Sequence, residues 1–325
     1  MNLAINPDRH APAWLVWLNL WIVYIVWGST YLAIRVMVET MPPLLASGVR
    51  FLAAGTIAYV YLWMRRGRAG VRVTRSELLA SAAVGTALLL GGNGLVSIAE
   101  RDVPSGLAAL VIASTPLWVV VLRALFGDRI PGGTLLGVIV GFIGVGVLVI
   151  PGGGSADAPL YGLILLVIAA ALWASGSFFS KRLPLPRDPF LSTVMQMLTG
   201  GGILMVAGLA RGEAGQFMIA EFSARSMTAL VYLIFIGSLV AFTAYTWLLQ
   251  HAPISKVATY AYVNPVIAIF LGAIILSEEI TAFILVGAAL IVASVAFIVS
   301  KESVRPARKR SVDAAPEAAL AGSDV

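Results

Sequence analysis

WLVWLNLWIVYIVWGSTYLAIRVMV, residues 14–38, is a long apolar segment that carries a single charged residue, Arg35. A helix needs roughly 20 apolar residues to cross the hydrocarbon core of a bilayer. The segment is too long for the apolar core of a cleavable signal peptide, and it lacks a small-residue cleavage site. The sequence therefore predicts a membrane-spanning helix near the N-terminal end.

Nine further apolar segments follow, and proline or glycine breakers separate most of them. Of the 325 residues, 59% are apolar and 12% are charged, whereas soluble domains have about 45–50% apolar and about 25% charged residues. This composition excludes a soluble globular enzyme and predicts an all-α polytopic membrane protein. We predict ten helices, at residues 14–38, 44–64, 78–98, 104–126, 132–150, 159–181, 189–210, 226–250, 254–276 and 281–299.

The composition also limits the chemistry that the chain can perform. It contains no cysteine and only two histidines, His10 and His251, which excludes disulfides, thiolate catalysis and Cys-based or His-rich metal sites. No P-loop motif for ATP-driven transport occurs. We expect neither enzymatic activity nor a cofactor nor a bound metal.

Basic residues are distributed unequally between the two sides of the predicted bundle. If the N-terminus is cytoplasmic, 17 of the 22 Lys and Arg residues lie in inside segments and 5 lie outside. This is a strong positive-inside signal, so the net charge of +6 indicates membrane orientation rather than nucleic-acid binding. We expect residues 1–13 and a disordered basic tail at 300–325 to be cytoplasmic. The excess of Arg over Lys, 18 to 4, fits a GC-rich bacterial genome.

The two halves of the sequence, 14–150 and 159–299, resemble each other in register. Eight pairs of similar residues or short motifs recur, beginning with Trp27 and Trp173 at a shift of 146 residues. Each half contains five predicted helices, and an odd number means that the second half enters the membrane upside down. Inverted repeats of this kind are the architecture of alternating-access carriers, which bind their substrate near the middle of the membrane. Matching positions include Pro43 with Pro189, Arg50 with Gln196, Gly55 with Gly201, Pro104 and Pro116 with Pro253 and Pro265, and Gly127-Asp128 with Ser277-Glu278.

The order of several short motifs resembles that of the EamA family of drug/metabolite transporters. These motifs are Trp27-Gly-Ser-Thr-Tyr31, Pro43 followed by Arg50-Phe51, Gly92-Asn93-Gly94, the Pro104 to Pro116 spacing, the Gly-Asp and Ser-Glu helix ends, and Asn264-Pro265. The resemblance covers about residues 14–300. It implies a 5+5 inverted repeat with a central cavity lined by helices 1–4 and 6–9, and with helices 5 and 10 at the periphery. It also implies export of amino acids or other small metabolites across a bacterial inner membrane.

Polar and aromatic residues in the predicted helices are candidates for the wall of a substrate cavity. Their hydroxyl and amide groups could bond a polar solute, and their rings could stack on it. The alternative is helix packing, because small and hydroxylated residues let membrane helices approach closely. The candidates are Trp27, Ser29, Thr30, Tyr31, Asn93, Ser114, Thr115, Trp173, Ser175, Ser177, Tyr245, Tyr260 and Asn264.

Arg50 and its repeat-related counterpart Gln196 are further candidates for substrate binding. A charge six residues into a membrane helix is costly and calls for a partner. Arg50 could bind a substrate carboxylate, extend towards the membrane surface, or pair with Glu39. Because Gln196 is neutral, a site that used both residues would be asymmetric.

Two prolines, Pro116 and Pro265, are candidate hinges. Each removes a backbone hydrogen bond and frees the carbonyl four residues earlier, at Ile112 and Ala261. In lipid, such carbonyls must be satisfied by side chains or face a wet cavity. The two interpretations are a hinge beside the substrate and a static kink.

The remaining features bear on coupling and assembly. No acidic residue falls well inside a predicted helix, and proton-coupled carriers usually keep a carboxylate there, so we expect facilitated diffusion or exchange. Gly137 and Gly141 have the spacing of a dimer face, although packing within one chain is the alternative. We expect a monomer or weak homodimer whose partners are the lipid bilayer and a small-molecule substrate, not nucleic acid.

The leading functional hypothesis is a secondary transporter of small metabolites such as amino acids. A channel-like pore, a membrane protein without transport activity, and an exporter of drugs or other metabolites are the alternatives. A continuous polar stripe would favour a channel, and the sequence shows scattered hydroxyl and amide groups instead.

Overall fold

A computed structural model describes residues 12–149, 158–252, 254–257 and 259–303, and these ranges contain helices and no β-strand. The main helices correspond to the ten apolar segments. They are α1 (Ala13–Met37), α2 (Pro43–Arg66), α3 (Arg75–Ala99), α4 (Ser105–Leu125), α5 (Gly132–Val149), α6 (Leu160–Ser180), α7 (Pro189–Ala210), α8 (Ala224–Leu248), α9 (Tyr260–Leu276) and α10 (Ala282–Ser303).

Nine of these helices are long and apolar enough to cross a membrane, by length and composition, within the ranges given above. The remaining helix, α9, is shorter, and the prediction of one continuous helix over 254–276 is wrong. A separate helical turn, Ile254–Val257, precedes it, and Thr259 lies in the turn between them. The Thr259 hydroxyl donates to the Lys256 carbonyl at 2.6 Å, which satisfies a backbone group at the interruption.

Helix ends differ from the prediction where side chains cap them. Helix α3 begins at Arg75 because Thr74 and Glu77 form a capping box, in which each side chain accepts a hydrogen bond from the other residue's backbone. Helix α10 continues to Ser303, into the segment predicted as tail. Most of the predicted N-terminal segment 1–13 and tail 300–325, together with Pro253 and Pro151 to Gly154, lie outside the described residues.

The repeat-related helices α2 and α7 pack against each other in antiparallel directions. A Cβ atom on Gly55 would lie 3.1 Å from the Leu198 side chain, and one on Gly201 would lie 3.1 Å from the Leu52 side chain. Leu52 and Leu198 are themselves separated by the repeat shift of 146. The contact is therefore reciprocal, as at an isologous two-fold interface.

Helices α5 and α10 show the same reciprocity at the periphery. A Cβ atom on Gly137 would lie 3.0 Å from the Ile298 side chain, and one on Gly287 would lie 2.5 Å from the Leu148 side chain. The two glycines are 150 residues apart in the sequence, and so are Leu148 and Ile298. The small-residue face of α5 is thus occupied by α10 of the same chain, in agreement with the packing alternative.

Helices α3 and α8 each contain a π-helical segment, where the sequence predicts ordinary α-helix. The segments are Thr86–Gly94 in α3 and Leu233–Val240 in α8, and they occupy nearly repeat-related positions. π-helical turns are rare and often lie at functional sites. Their presence in both repeats indicates that they belong to the architecture of the bundle.

Helix α4 is interrupted at Ala113 and Ser114, where the sequence predicts a continuous helix over 104–126. It consists of Ser105–Ile112 and Thr115–Leu125, and Pro116 lies in the first turn of the second segment. Proline is tolerated there because the first turn of a helix has no intrahelical partner for its backbone N–H groups. The first helical segment therefore ends at Ile112, and the second begins at Thr115, which places Pro116 in a first turn.

The two ends of the bundle differ in packing. At the Arg35 end, where α1 ends and α2 begins, one continuous core cluster joins helices of both halves and includes Met37, Leu44, Ala99 and Leu230. At the opposite end, the Lys181 end, the same cluster continues in α4, α5 and α10, for example at Val138 and Ile298. Buried residues of α1 and α8 form a second cluster there, and those of α2 and α7 contribute to a third. Helices α1, α2, α7 and α8 therefore share one core cluster at the Arg35 end, whereas two separate clusters divide them at the Lys181 end.

Candidate functional site

A cavity of about 150 Å³ lies between the two halves of the chain. A cavity of this size holds a molecule about as large as benzene. Helices α1 to α4, α6, α8 and α9 supply its wall. The lining residues are Trp27, Thr30, Tyr31, Ile34, Arg50, Phe51, Gly92, Asn93, Val96, Ala109, Ile112, Ala113, Thr115, Pro116, Ala169, Trp173, Phe242, Tyr260, Ala261, Asn264 and Pro265.

The structure brings most of the predicted site residues to this cavity. Nine of the fifteen candidates line it, and so do both predicted hinge prolines, Pro116 and Pro265. Placement on the wall makes them available to a solute, and their role in binding stays a prediction. The nine are Trp27, Thr30, Tyr31, Arg50, Asn93, Thr115, Trp173, Tyr260 and Asn264.

Four predicted hydroxyl residues are not among the lining residues. Ser114 and Ser175 donate to backbone carbonyls of their own helices, at 2.6 and 2.8 Å. Ser29 bonds the Tyr232 hydroxyl at 2.6 Å and thereby joins α1 to α8. Ser177 lies one turn before the end of α6, and its carbonyl accepts the Ser180 hydroxyl. Their positions fit the alternative of helix packing.

Gln196 and Tyr245 also lie outside the cavity wall. The Gln196 amide nitrogen donates to the Ser192 hydroxyl one turn earlier, at 3.0 Å. Tyr245 contacts the lining residue Trp27, and their ring centroids are 4.9 Å apart. Arg50 is charged and lines the cavity, whereas its counterpart Gln196 is neutral and is not a lining residue.

Trp27 is the centre of an aromatic cluster on one side of the cavity. Its ring meets those of Phe242 and Tyr260 in edge contacts, at centroid distances of 5.6 and 5.1 Å. On the other side, Trp173 lies against Gly92, where a Cβ atom would be 2.5 Å from its ring. The absence of a side chain on Gly92 lets α6 place its indole directly against the π-helical segment of α3.

Arg50 is the only charged side chain among the described residues that line the cavity. It is 4% exposed, and its Nε donates to the Ser238 hydroxyl at 3.1 Å. Its guanidinium carbon also lies 4.6 Å from the centroid of the Phe51 ring. The structure does not show the alternative of an ion pair between Arg50 and Glu39. Among the described residues, Glu39 instead pairs with Arg225, with 4.0 Å between Oε1 and Nη1.

Glu100, which sequence reasoning did not select, is buried near this arginine. It follows the last residue of α3 and is 0% exposed, and neither carboxylate oxygen has a hydrogen-bond partner in the described ranges. Burial, reinforced by the charge of Glu278, raises the pKa of Glu100 well above its ordinary range, while Arg35 and Arg50 oppose the shift. Glu100 lies at a helix end, as the sequence predicts for the acidic residues, but the sequence analysis did not predict its burial.

At both candidate hinges the polar side chain before the proline donates to backbone carbonyls, and at Pro116 this includes the carbonyl that the proline frees. The Thr115 hydroxyl donates to the Ile112 carbonyl at 2.6 Å, which is the carbonyl that Pro116 leaves without an intrahelical donor. In α9, with its amide nitrogen turned towards two carbonyls, Asn264 donates to Tyr260 and Tyr24 at 3.2 Å each. The polar residues beside the prolines therefore serve the backbone as well as the cavity.

Apolar lining residues such as Ile34, Val96 and Ala169 also escaped the sequence prediction. An apolar residue in a membrane helix looks the same whether it faces lipid, a neighbouring helix or a cavity. Phe51 is the exception, because it directly follows Arg50 in a motif that the sequence analysis singled out. In the part of the chain that the structure describes, no group of three or more His, Cys, Asp or Glu residues could hold a metal.

Comparison with known proteins places this chain in a family. The model of the EamA-like transporter family matches residues 14–150 and 160–300. The chain belongs to the EamA-like transporter family. It is accordingly a multi-pass membrane protein of a transporter family, and the two matches coincide with the two halves found as an internal repeat.

Relatives of the chain carry transporter names. The inner membrane transporter YedA of Escherichia coli is 37% identical over 254 residues, which is 78% of this chain and 80% of YedA. A protein of the same organism named "Probable amino-acid metabolite efflux pump" is 27% identical over 83% of this chain and 90% of its own length. A crystal structure with 20% identity has a TM-score of 0.60 over 89% of this chain and 99% of that one, which supports the fold.

Proposed function

We propose that this protein is a secondary transporter that moves small metabolites such as amino acids across a bacterial inner membrane by alternating access. The observation that carries the proposal is the cavity between the two halves, in which aromatic rings surround one buried arginine. Binding sites of carriers lie near mid-membrane between inverted repeats. The name of the efflux-pump relative supports amino acids as the first substrates to test.

The proposed architecture is ten membrane helices in a 5+5 inverted repeat. The reciprocal contacts of Gly55 and Gly201 between α2 and α7, and of Gly137 and Gly287 between α5 and α10, support it. Such contacts follow from a two-fold axis perpendicular to the helices, which is an axis in the plane of the membrane. We further propose cytoplasmic termini, which follow from the 17 to 5 distribution of basic residues.

In this arrangement the described conformation is closed at the Arg35 end, which faces outwards. The one core cluster that joins α1, α2, α7 and α8 at that end, and the two separate clusters of these helices at the Lys181 end, support this assignment. Transport then requires the Arg35 end to open while the Lys181 end closes. The protein works without a cofactor or a covalent reaction, as a monomer or weak homodimer in the bilayer.

Counterflow in proteoliposomes tests the proposal directly. Vesicles that contain the purified protein are loaded with one unlabelled amino acid and supplied with the labelled form, and a panel of amino acids is compared. We expect saturable accumulation that requires the internal solute. Uptake that stays linear with concentration and shows no counterflow would indicate a channel, and no uptake of any amino acid would exclude this substrate class.

Thiol labelling tests the exchange of the two ends, since the native chain has no cysteine. Met41→Cys reports on the closed Arg35 end, where Met41 is 1% exposed. Ser177→Cys reports on the Lys181 end. We expect a transported solute to change the labelling of the two positions in opposite directions. Labelling that no solute changes, in protein that transports, would contradict alternating access.

A further inference from the structure

Arg50 brings an incompletely paired positive charge to the cavity. Its Nε is bonded to Ser238, and its two terminal amino groups have no hydrogen-bond partner among the described residues. Burial of a guanidinium without partners is costly, because its charge loses hydration. The remaining donors lie in the planar arrangement that matches a carboxylate, so the wall of this cavity is chemically incomplete without an anion.

Glu100 places a buried carboxyl group near Arg50, and this group is incompletely paired too. Both of its carboxylate oxygens are buried without a hydrogen-bond donor in the described part of the chain. Arg35 approaches the same residue, but it donates to the Glu100 backbone carbonyl. The charged and titratable groups that face Glu100 are Tyr31 and Arg35 of α1, Arg50 of α2, and Glu278 after α9.

We propose that Arg50 binds the carboxylate of the transported solute and that Glu100, when ionised, competes with the solute for the charge of Arg50. This inference rests on the proposed transport function and assigns a substrate class to its site. The solute is a small carboxylate whose apolar or aromatic part lies against Trp27, Trp173 and Tyr260.

The competition follows from the electrostatics of a buried site. When Glu100 carries a proton, Arg50 is the uncompensated charge, and a substrate carboxylate compensates it. When Glu100 is ionised, Arg50 is already compensated, and the solute brings a second carboxylate into a region of low dielectric. Binding of the carboxylate and protonation of Glu100 therefore favour each other, and the coupling is reciprocal.

The first experiment tests the substrate class by comparing amino acids with their amides, in which an uncharged carboxamide replaces the carboxylate. Binding of L-alanine, L-threonine, L-methionine and L-phenylalanine to the purified protein is measured by calorimetry beside the four corresponding amides. We expect the wild type to bind one or more of the acids at least about tenfold more tightly than the amide, as for a charge-assisted pair. Arg50→Gln removes this preference, and Arg50→Lys retains part of it.

The second experiment tests the competition through pH. The dissociation constant of the acid that binds most tightly is followed between about pH 5 and pH 9. We expect affinity to fall as pH rises, by about fivefold or more over the range, which is a typical coupling between two sites. In Glu100→Gln the dependence disappears, and affinity stays near the low-pH value of the wild type.

The controls separate this inference from the proposed transport function and from misfolding. Each variant is required to elute as a single species of wild-type size. If amides and acids bind equally, or if Arg50→Gln weakens both alike, Arg50 has a structural role and the inference fails, while counterflow of neutral solutes keeps the transport function. If no acid binds, or if Glu100→Gln keeps the pH dependence of the wild type, the inference fails as well.

Discussion

Gly85 of α3 and Gly200 of α7 meet backbone to backbone. A Cβ atom on Gly200 would lie 2.8 Å from the Gly85 carbonyl oxygen, and one on Gly85 would lie 2.8 Å from the Gln196 carbonyl oxygen. Membrane helices associate largely through such close packing, because lipid provides no hydrophobic force to drive them together. The contact lies next to the π-helical segment of α3, which begins at Thr86.

The first prediction is that Gly200→Ala destabilises the protein. The added methyl group would have to displace backbone rather than a flexible side chain, so we expect the free energy of unfolding to fall by about 1–3 kcal/mol. Unfolding of the purified protein in detergent, followed by circular dichroism, measures the change.

Gly202→Ala is the matched control on the same helix. A Cβ atom at Gly202 would meet nothing within 4 Å, and alanine favours a helix over glycine by about 0.5–1 kcal/mol. We expect this variant to equal or exceed the wild type in stability. Equal effects of the two substitutions would contradict the close contact of α3 and α7.

The positions of the helices could be predicted from the sequence because lipid demands long apolar segments. The internal repeat could be predicted as well, from pairs such as Trp27 with Trp173. What escaped prediction depends on contacts between helices. The π-helical segments, the interruption of α4 before Pro116 and the depth of Glu100 are set by neighbours that a local pattern does not contain.

The candidate site was predictable as a set of residue types, but not side chain by side chain. Ser29 and Thr30 are adjacent hydroxyl residues in one motif, yet Thr30 lines the cavity and Ser29 bonds Tyr232 of α8. Successive residues of a helix point in different directions, and the sequence lacks an amphipathic pattern to tell which direction is inward. Arg50 was easier to select, because a charge in a membrane helix needs an explanation.

The second prediction concerns the aromatic wall. Trp27 contacts three rings, of which that of Tyr245 is the nearest at 4.9 Å between centroids. An aromatic pair contributes about 0.5–1.5 kcal/mol beyond its buried area, so we expect Trp27→Ala to lower counterflow by about tenfold or more. Trp27→Phe should retain part of the activity.

Trp63→Ala controls for the loss of an indole in general. Trp63 belongs to α2 and is 51% exposed, on a surface away from the cavity. We expect its replacement to leave counterflow near the wild-type rate. Similar losses in the two alanine variants, at equal amounts of folded protein, would argue against Trp27 as part of the transport site.

The third prediction concerns the interruption of α4. Thr115→Val keeps the shape of the side chain and removes the hydroxyl that donates to the Ile112 carbonyl at 2.6 Å. A hydrogen bond of this kind contributes about 0.5–1.5 kcal/mol. We expect a loss of stability of that size, measured by unfolding in detergent, and near-complete retention in Thr115→Ser. If Thr115→Ser and Thr115→Val behave alike, the hydroxyl is not what stabilises the interruption.

The fourth prediction concerns a helix cap that one half of the chain supplies to the other. Helix α2 begins with Pro43 and has no cap from its own sequence, so the backbone N–H groups of Leu44 and Leu45 need an acceptor. Glu213 is only 2% exposed. Its carboxylate accepts hydrogen bonds from both N–H groups, at 3.0 and 2.9 Å. Its negative charge also complements the positive end of the helix dipole.

Removal of this carboxylate leaves two donors at a buried helix end without a partner. We therefore expect Glu213→Ala to lower the free energy of unfolding by at least about 1–3 kcal/mol. Glu213→Gln should lie between this variant and the wild type, because its amide oxygen still accepts a hydrogen bond but carries no charge. Glu221→Gln, at an exposed position nearby in the chain, should be neutral. A loss in Glu213→Ala no larger than that in Glu221→Gln would mean that α2 does not depend on the second half for its cap.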